Sequence, residues 1–344
     1  MKENTTVIRY AFLLFAAIGG FLLPQSLFAQ TAVAEPPAAE QAPPVPAAEV
    51  LSAETDQTAE DKTKPAAATK PASKDAKSKK SDTLYIRVHK NATGKALALQ
   101  TAIVRYEGKP GTPYAGKVVD LVGVVHIGQR EYYADLKNRL SKYDVVLYEL
   151  VAPDGTRIRP EDLQKRRSLL ASMQTGMKDM LNLEYQLELI DYMAENFKHA
   201  DMSPDEFSKD LERRGDSIWK MGARMMGAGL ASQASTGGDT GLLFALFSSD
   251  RSRRMKQTMA KQLVDIEVVT AGMDDKNGDN TLIKGRNVKA FKILREQLDS
   301  GKSNVSVFYG AGHLPDMAER LEQDFDMQVS GDSVWLDAWD LTRN

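Results

Sequence analysis

Residues 117–126 read KVVDLVGVVH, a nearly continuous apolar run that ends in Gly-Val-Val-His. Such a run predicts a strand that is buried on both faces, as in a parallel sheet covered by helices. A helical pattern follows from about residue 131 to residue 140, and the next buried strand, residues 143–148, ends at Glu149. Strand, helix and strand in this order form a β-α-β unit, so this part of the chain indicates an α/β fold.

A second apolar strand ends in the same way. Residues 304–309 read NVSVFY, and they run into GAGH at 310–313 before a helical pattern from about residue 314 to residue 323. Two of the four histidines therefore have a glycine three residues earlier, which chance gives in only a few per cent of cases when about 7% of residues are glycine. The motif glycines let the backbone or a ligand approach closely at a strand end; they are Gly123, Gly310 and Gly312.

The rest of the chain from residue 83 onward predicts a mixed sheet with flanking helices. Alternating apolar residues over 84–88 and 97–103 predict an antiparallel hairpin that opens the domain, and strands near residues 327–329 and 334–341 close it. Apolar residues also mark one face of a helix, at Leu282, Val288, Phe291, Leu294 and Leu298. We expect a single α/β domain over residues 83–344.

An all-helical insertion is predicted to divide this domain from about residue 160 to residue 277. One helix start is clear at residues 203–206, SPDE, where the serine caps the helix and the glutamate completes a capping box. Eleven of the 14 methionines lie in the insertion, and several stand beside glycines in residues 221–229. Flexible thioethers suit either a mobile apolar cover or a loosely packed helical core, and the sequence leaves both interpretations open.

The amino end predicts export. Lys2 and Arg9 precede an apolar run at residues 10–23 that is shorter than a membrane-spanning helix needs, and small residues follow at Ala29 and Ala34. Residues 1–29 are therefore expected to be a signal peptide, with an uncleaved membrane anchor as the alternative. Residues 30–82 are rich in Ala, Pro, Lys and Glu and predict a disordered linker, either a spacer or a basic stretch that touches envelope polymers or anionic lipid. The location is then periplasmic or secreted.

Composition excludes several functional classes. A formal net charge of -2 provides no general attraction for nucleic acid. The absence of cysteine excludes disulfides, thiolate metal sites, a cysteine nucleophile and a lipidated cysteine. Any metal ion must therefore be held by His, Asp or Glu side chains. The chain also contains no P-loop, no His-Glu-x-x-His and no Gly-x-Ser-x-Gly motif.

The chemistry-bearing residues follow the buried strands. Because the carboxyl ends of parallel strands meet at one edge of a sheet, we expect His126, His313 and Glu149 to lie close together. Two imidazoles and a carboxylate suit a divalent metal ion such as Zn, Mn or Co. The alternative for each histidine alone is a hydrogen-bonded residue at a strand end. Four further polar residues could line the same cleft or lie on a helix surface: Gln186, Asp191, His199 and Asp201.

These strand ends, with Glu149, Arg286-Asn287 and the two Gly-x-x-His motifs, resemble the TraB/PrgY/GumN family, which includes the Wnt-cleaving TIKI proteases. The resemblance covers roughly residue 117 to the carboxyl end and only loosely the insertion. It implies an α/β fold related to ChaN and erythromycin esterase. It also implies a metal-dependent peptidase or an inhibitor of peptide pheromones, with a site at His126, His313, Glu149 and Arg286. One departure is Gly285, where the family pattern leads us to expect a glutamate.

The resulting hypothesis is a metal-dependent hydrolase that acts on a peptide or protein substrate. His126 and His313 would hold the metal ion, and Glu149 would serve as a third ligand or as general base. Arg286 would stabilise an oxyanion or bind a substrate carboxylate, or would simply form an ion pair. Two other interpretations stay open at this point: an envelope protein that captures a peptide or haem-like ligand without turnover, and a structural module tethered by its linker.

Overall fold

A computed structural model of the chain describes residues 85–154, 156, 181–217, 220, 249–264 and 280–344. The predicted signal peptide, the predicted linker and the methionine-rich residues 221–229 lie outside these described residues. Within them, no helix has both the length and the apolar character that are needed to cross a membrane.

The described residues form ten strands and six α-helices. The strands, in chain order, are β1 (Ile86–Lys90), β2 (Ala96–Gly108), β3 (Val118–Val124), β4 (Ile127–Gly128), β5 (Val145–Tyr148), β6 (Glu184–Tyr185), β7 (Phe197–His199), β8 (Asn304–Gly310), β9 (Met327–Val329) and β10 (Val334–Asp340). The helices are α1 (Arg130–Leu140), α2 (Gln186–Leu189), α3 (Pro204–Arg213), α4 (Arg251–Val264), α5 (Arg286–Asp299) and α6 (Leu314–Asp324). A π-helical turn, Thr281–Gly285, leads into α5, and a 3₁₀ turn, Ala311–His313, leads into α6.

Eight strands make one mixed sheet, as an α/β class predicts. Its parallel half has the order β3-β8-β5-β7. Gly123 on β3 is aligned with Tyr309 on β8, so the two strands that carry Gly-x-x-His lie side by side and end together. The carboxyl ends of β3, β8, β5 and β7 therefore share one edge of the sheet.

The antiparallel half is organised by the long strand β2. It pairs with β1, β10, β3 and β9. The predicted opening hairpin is confirmed, and its turn is closed by the Asn91 side chain, which accepts hydrogen bonds from the amides of Thr93 and Lys95. Together the two halves give the mixed sheet that the alternating and continuous apolar patterns predicted.

Helices cover both faces of the parallel sheet, which explains why β3, β5 and β8 are mostly apolar. On one face, Val122, Val124 and Phe308 pack with residues of α1 and α4, such as Leu136 and Met255. On the opposite face, alternate strand residues pack with α5 and α6; these include Val119, Leu121, Val305, Val307, Leu294, Leu298, Met317 and Leu321. Alternation of side chains along each strand thus builds two hydrophobic cores from one apolar sequence.

Two sequence-based expectations are corrected. The stretch predicted to be wholly helical contains the strands β6 and β7, because backbone pairing with β4 and β5 outweighs local helical preference over two or three residues. Val288 was assigned to the buried face of its helix but is 54% exposed. It lies about 100° around the helix from the buried Asn287, which moves its side chain off the apolar stripe. The predicted capping box at Ser203 and Glu206 is confirmed.

Candidate functional site

The carboxyl edge of the parallel strands brings the two motif histidines and Glu149 around Gly310. A Cβ atom on Gly310 would lie 3.1 Å from Glu149 Oε2, 3.8 Å from His313 Cδ2 and 3.9 Å from His126 Nε2. The Gly310 amide donates a hydrogen bond of 2.7 Å to Glu149 Oε2. Glycine here makes room for the Glu149 carboxylate, whereas a Cβ atom would meet the two histidines only at ordinary van der Waals distances.

Arg286 joins the site from the first residue of α5, directly after the π-helical turn. Its Nη2 donates to Glu149 Oε1 at 2.7 Å and to Asp201 Oδ2 at 2.6 Å, while its Nε donates to Asp201 Oδ1 at 3.0 Å. All three side chains are almost fully buried. One guanidinium thus links two carboxylates from different parts of the chain, and its Nε and Nη2 are committed to them.

The buried charges of this cluster do not cancel. Two carboxylates and one guanidinium leave one negative charge when the neighbouring histidines are neutral. Burial by itself raises the pKa of Glu149, but the positive charge of Arg286, together with the interactions of the carboxylate with His313 and His126, outweighs it and holds that pKa well below its usual range. Burial opposes the charge of Arg286, yet Asp201 and Glu149 raise its pKa above the usual value. Glu149 and Arg286 are therefore ionised at neutral pH, and the cluster favours one further cation or proton nearby.

His313 is anchored on both sides. Its Nδ1 lies 2.7 Å from Asn287 Oδ1, and its Nε2 lies 3.5 Å from Glu149 Oε1 and 3.4 Å from Arg286 Nη1. The ring of Tyr309 meets the imidazole edge to face, with 5.3 Å between centroids. This imidazole is buried, and its Nε2 faces the charged cluster.

His126 is held in a similar way but is more accessible. Its Nδ1 lies 3.0 Å from Gln186 Oε1, and the Gln186 amide donates in turn to the Tyr192 hydroxyl at 2.7 Å. The backbone amide of Gln186 also donates to the His126 carbonyl. His126 is only half buried, and in the part of the chain that the structure describes, Nε2 has no hydrogen-bond partner. When Nδ1 donates to Gln186, this nitrogen is therefore an acceptor without a partner among the described residues.

The four lower-ranked cleft residues divide into two pairs. Gln186 and Asp201 belong to the site, as shown by their bonds to His126 and Arg286. Asp191 does not, because it is exposed and its carboxylate accepts from the Met193 amide in a local turn. His199 ends the neighbouring strand β7, but its Nε2 bonds to the Leu150 carbonyl at 2.6 Å and its ring packs on Tyr148.

Gly123 has a different role from Gly310. A Cβ atom on Gly123 would lie 3.2 Å from the Ala102 carbonyl oxygen and 3.3 Å from Leu314 Cδ2. This glycine therefore permits close packing between β3, β2 and α6, and not the approach of a functional side chain. Gly312 lies within the 3₁₀ turn that delivers His313.

The Asp210 carboxylate lies where a side chain at position 285 would begin. A Cβ atom on Gly285 would lie 2.7 Å from Asp210 Oδ2, so a larger residue would collide with this carboxylate. Asp210 is buried and accepts hydrogen bonds from Arg214 and Thr281, the latter at the start of the π-helical turn. A carboxylate from α3 thus lies against the turn at Gly285, immediately before Arg286.

Sequence reasoning missed the roles of Asn287 and Tyr192. Asn287 follows Arg286 in the motif that was recognised, but its contact with His313 depends on α5 lying beside the 3₁₀ turn. Tyr192 is a buried tyrosine in a stretch assigned to a helix, and no local signal connects it with Gln186.

The predicted metal site is only partly matched. Among the residues that the structure describes, no group of three or more His, Asp or Glu side chains is arranged as a metal site. Glu149 does not fit as a third ligand in this arrangement, because Arg286 and the Gly310 amide donate to its two oxygens. The two histidines meet one requirement of metal ligands, since an amide oxygen holds each Nδ1. Nε2 of His126 is thereby left for a ligand, whereas Nε2 of His313 lies 3.4 Å from Arg286 Nη1.

Comparisons with protein-family models, curated proteins and solved structures give no match to this chain.

Proposed function

We propose that this chain is an exported hydrolase that resembles the TraB/PrgY/GumN family and cleaves peptide bonds at the His126–His313 edge of the sheet. The observation that carries the proposal is the pair of strand-end imidazoles, each anchored through Nδ1 by a side-chain amide, beside a buried ionised carboxylate. Anchored neutral imidazoles at a strand edge are suited to accept protons or to bind a metal ion.

His126 is the group that meets the substrate. His126 is partly exposed and its Nε2 has no hydrogen-bond partner among the described residues, so this nitrogen can accept a proton from a water molecule that attacks a carbonyl carbon. The hydrogen bond from Nδ1 to Gln186 fixes the ring and stabilises the proton that remains on that nitrogen. The Tyr192 hydroxyl accepts a hydrogen bond from the Gln186 amide and so fixes the Gln186 side chain.

Glu149 and Arg286 act on the electrostatics of the site. Glu149 stays ionised because of Arg286, so it is a weak base, but it stabilises positive charge that develops on His313 at 3.5 Å. Arg286 donates its Nε and Nη2 hydrogen bonds to two carboxylates, and its Nη1 faces His313 and the Leu282 carbonyl. These contacts agree with the ion-pair alternative for Arg286 rather than with binding of a substrate oxyanion or carboxylate.

The histidine pair also supports a second form of the proposal, in which a divalent metal ion takes part in the reaction. In this form of the proposal, Nε2 of His126 and of His313 would hold Zn, Mn or Co instead of accepting a proton, and the bound ion would lower the pKa of its water toward ~7 and supply a nucleophile at neutral pH. The net negative charge of the Glu149, Asp201 and Arg286 cluster favours a cation close to His313.

The test uses the purified full chain with a mixture of unstructured peptides, in EDTA and with added Zn, Mn or Co ions. We expect cleavage products by mass spectrometry, and loss of at least 100-fold in rate for His126→Ala and His313→Ala. His89→Ala is the matched control, because His89 is exposed on β1. Equal cleavage rates in EDTA and with added metal ions would show that the reaction does not need a metal ion. Peptide binding without any product would refute hydrolysis and support the capture of a ligand.

A further inference from the structure

Asn287 is completely buried between His313 and α6. Its Nδ2 donates to the His313 carbonyl oxygen at 3.1 Å and to Asp316 Oδ2 at 2.8 Å. A carbonyl and a carboxylate only accept hydrogen bonds, so the amide nitrogen must face these two groups. The orientation of the Asn287 side chain is therefore determined by its neighbours, and Oδ1 must face His313.

This orientation decides which nitrogen of His313 carries the proton. Asn287 Oδ1 lies 2.7 Å from His313 Nδ1 and can only accept, so Nδ1 must be protonated. In the neutral ring, Nε2 then keeps its lone pair. Arg286 Nη1, a donor 3.4 Å from Nε2, favours the same tautomer.

Glu149 pulls in the opposite direction. Its Oε1 lies 3.5 Å from His313 Nε2, and a buried carboxylate at that position favours a proton on Nε2. Without Asn287, the ring could place its single proton on Nε2 and direct it to Glu149. The short hydrogen bond from Nδ1 to Asn287 opposes this exchange.

We propose that Asn287 is a positioning residue that holds His313 in the Nδ1-protonated tautomer, so that the lone pair of Nε2 stays directed at the charged cluster. The inference rests on the proposed function, in which His313 uses Nε2 as a proton acceptor or a metal ligand. Asn287 does not touch the substrate. It determines which atom of His313 is available, whichever of these two roles Nε2 performs.

The test reads the tautomer directly. The full chain is labelled with ¹⁵N-histidine, and the His313 signals are assigned by their loss in His313→Gln. We expect the wild type to show a protonated Nδ1 and an unprotonated Nε2 near neutral pH without added metal. Asn287→Ala and Asn287→Leu, the second of which keeps the buried volume, are expected to shift the proton toward Nε2. Their kcat/KM should fall by about 10–100-fold through kcat, with little change in KM.

Two controls separate this role from a general loss of stability. Asn196→Ala also removes a half-buried amide with two hydrogen bonds, to the Leu140 and Tyr143 carbonyls, and should leave the His313 tautomer unchanged. The double variant Asn287→Asp with Asp316→Asn exchanges acceptor and donor between these two side chains at the same net charge, but it leaves the His313 carbonyl without its donor. It retains an acceptor for Nδ1, so it should keep the wild-type tautomer.

The result that overturns the inference is a wild-type ring protonated on Nε2, or a tautomer that does not change in Asn287→Ala and Asn287→Leu. A tautomer that shifts while the wild type forms no product supports the role of Asn287 in holding the ring and refutes the proposed function. If the wild type cleaves peptides but the tautomer is unchanged in the variants, the proposed function is supported and the role of Asn287 is refuted. The two failures are therefore distinguishable.

Discussion

At the scale of single residues, the site is dominated by a chain of buried charges and amides. Arg286 lies between Glu149 and Asp201, and an amide side chain holds each motif histidine. A buried ion pair costs desolvation energy, which is recovered only when each charged atom has a partner. Asp201 meets this condition, since Met202 donates its backbone amide to Oδ1 in addition to the two bonds from Arg286.

Replacing Glu149 by Gln should change how stability depends on pH. The folded pKa of Glu149 lies below its unfolded value of about 4.3, so its stabilisation is complete above that value and is lost as the pH falls through the folded pKa. Urea unfolding between pH 7 and pH 3 should therefore show a smaller loss of stability in Glu149→Gln than in the wild type. Glu319→Gln, at an exposed position on α6, is the control and should retain the wild-type slope.

Replacing Asp201 by Asn should cost about 3–5 kcal/mol of unfolding free energy at pH 7, because it breaks a fully buried pair and leaves Arg286 with less compensation. Equilibrium urea unfolding measures this value. Asp135→Asn removes the partner of Arg139 on the surface of α1 and should change stability by less than about 1 kcal/mol. Equal effects of the two variants would mean that the buried network does not stabilise the fold.

Sequence reasoning identified the main residues of this site but not all their partners. His126, His313, Glu149 and Arg286 could be chosen because each follows a strand end or belongs to a recognisable motif. Their pairing could not, since Asp201 reaches Arg286 across 85 residues and Asn287 reaches His313 across 26. The sequence also could not show whether Glu149 is free to act as a base or a metal ligand, because that depends on the Arg286 guanidinium 2.7 Å away.

At the scale of elements, the two Gly-x-x-His motifs are alike in sequence and different in structure. Each follows a parallel strand, and the strands are neighbours in the sheet. Gly310 gives room to functional side chains, whereas Gly123 gives room to the backbone of β2 and to a leucine of α6. The glycine of the motif therefore serves the site on β8 and the packing of the sheet on β3, while the histidines of both motifs lie at the site.

This difference predicts that one Gly-to-Ala variant mainly loses activity and the other mainly loses stability. Gly310→Ala would bring a methyl group to 3.1 Å from Glu149 Oε2, so it should displace Glu149 and lower kcat by about tenfold or more while the protein stays folded. Gly123→Ala would press on a backbone carbonyl at 3.2 Å and should lower stability by about 1–3 kcal/mol. Peptide cleavage rates and thermal unfolding of both variants check this. A larger loss of stability in Gly310→Ala would contradict the assignment.

Element boundaries that rest on strong local signals are confirmed. The capping box starts α3 at Pro204, and the alternating residues form the hairpin of β1 and β2. The strands β6 and β7 were missed because they contain two and three residues, too few for any periodic pattern. Their conformation depends on partner strands that lie elsewhere in the sequence.

At the scale of the whole molecule, the predicted export of the chain can be tested separately from its chemistry. When the full chain is expressed in a bacterial host with an outer membrane, we expect a periplasmic product that begins after Ala29 or Ala34. Mass spectrometry of the purified product gives the cleavage site, and deletion of residues 10–23 should retain the chain in the cytoplasm. A product that keeps Met1 and sediments with membranes would support the alternative of an uncleaved anchor.

The sequence by itself determined the α/β class and singled out the two Gly-x-x-His motifs, because continuous apolar strands, capping residues and glycine spacing are local signals. That the two strands carrying these motifs are neighbours was an expectation, which the sheet register confirms. Only the tertiary structure decided what each side chain faces. It placed Arg286 between two carboxylates, set Asn287 against His313 and filled the space at Gly285 with Asp210. These contacts join segments that are far apart in the chain, and the charge and proton position of a buried group depend on such neighbours rather than on its own sequence.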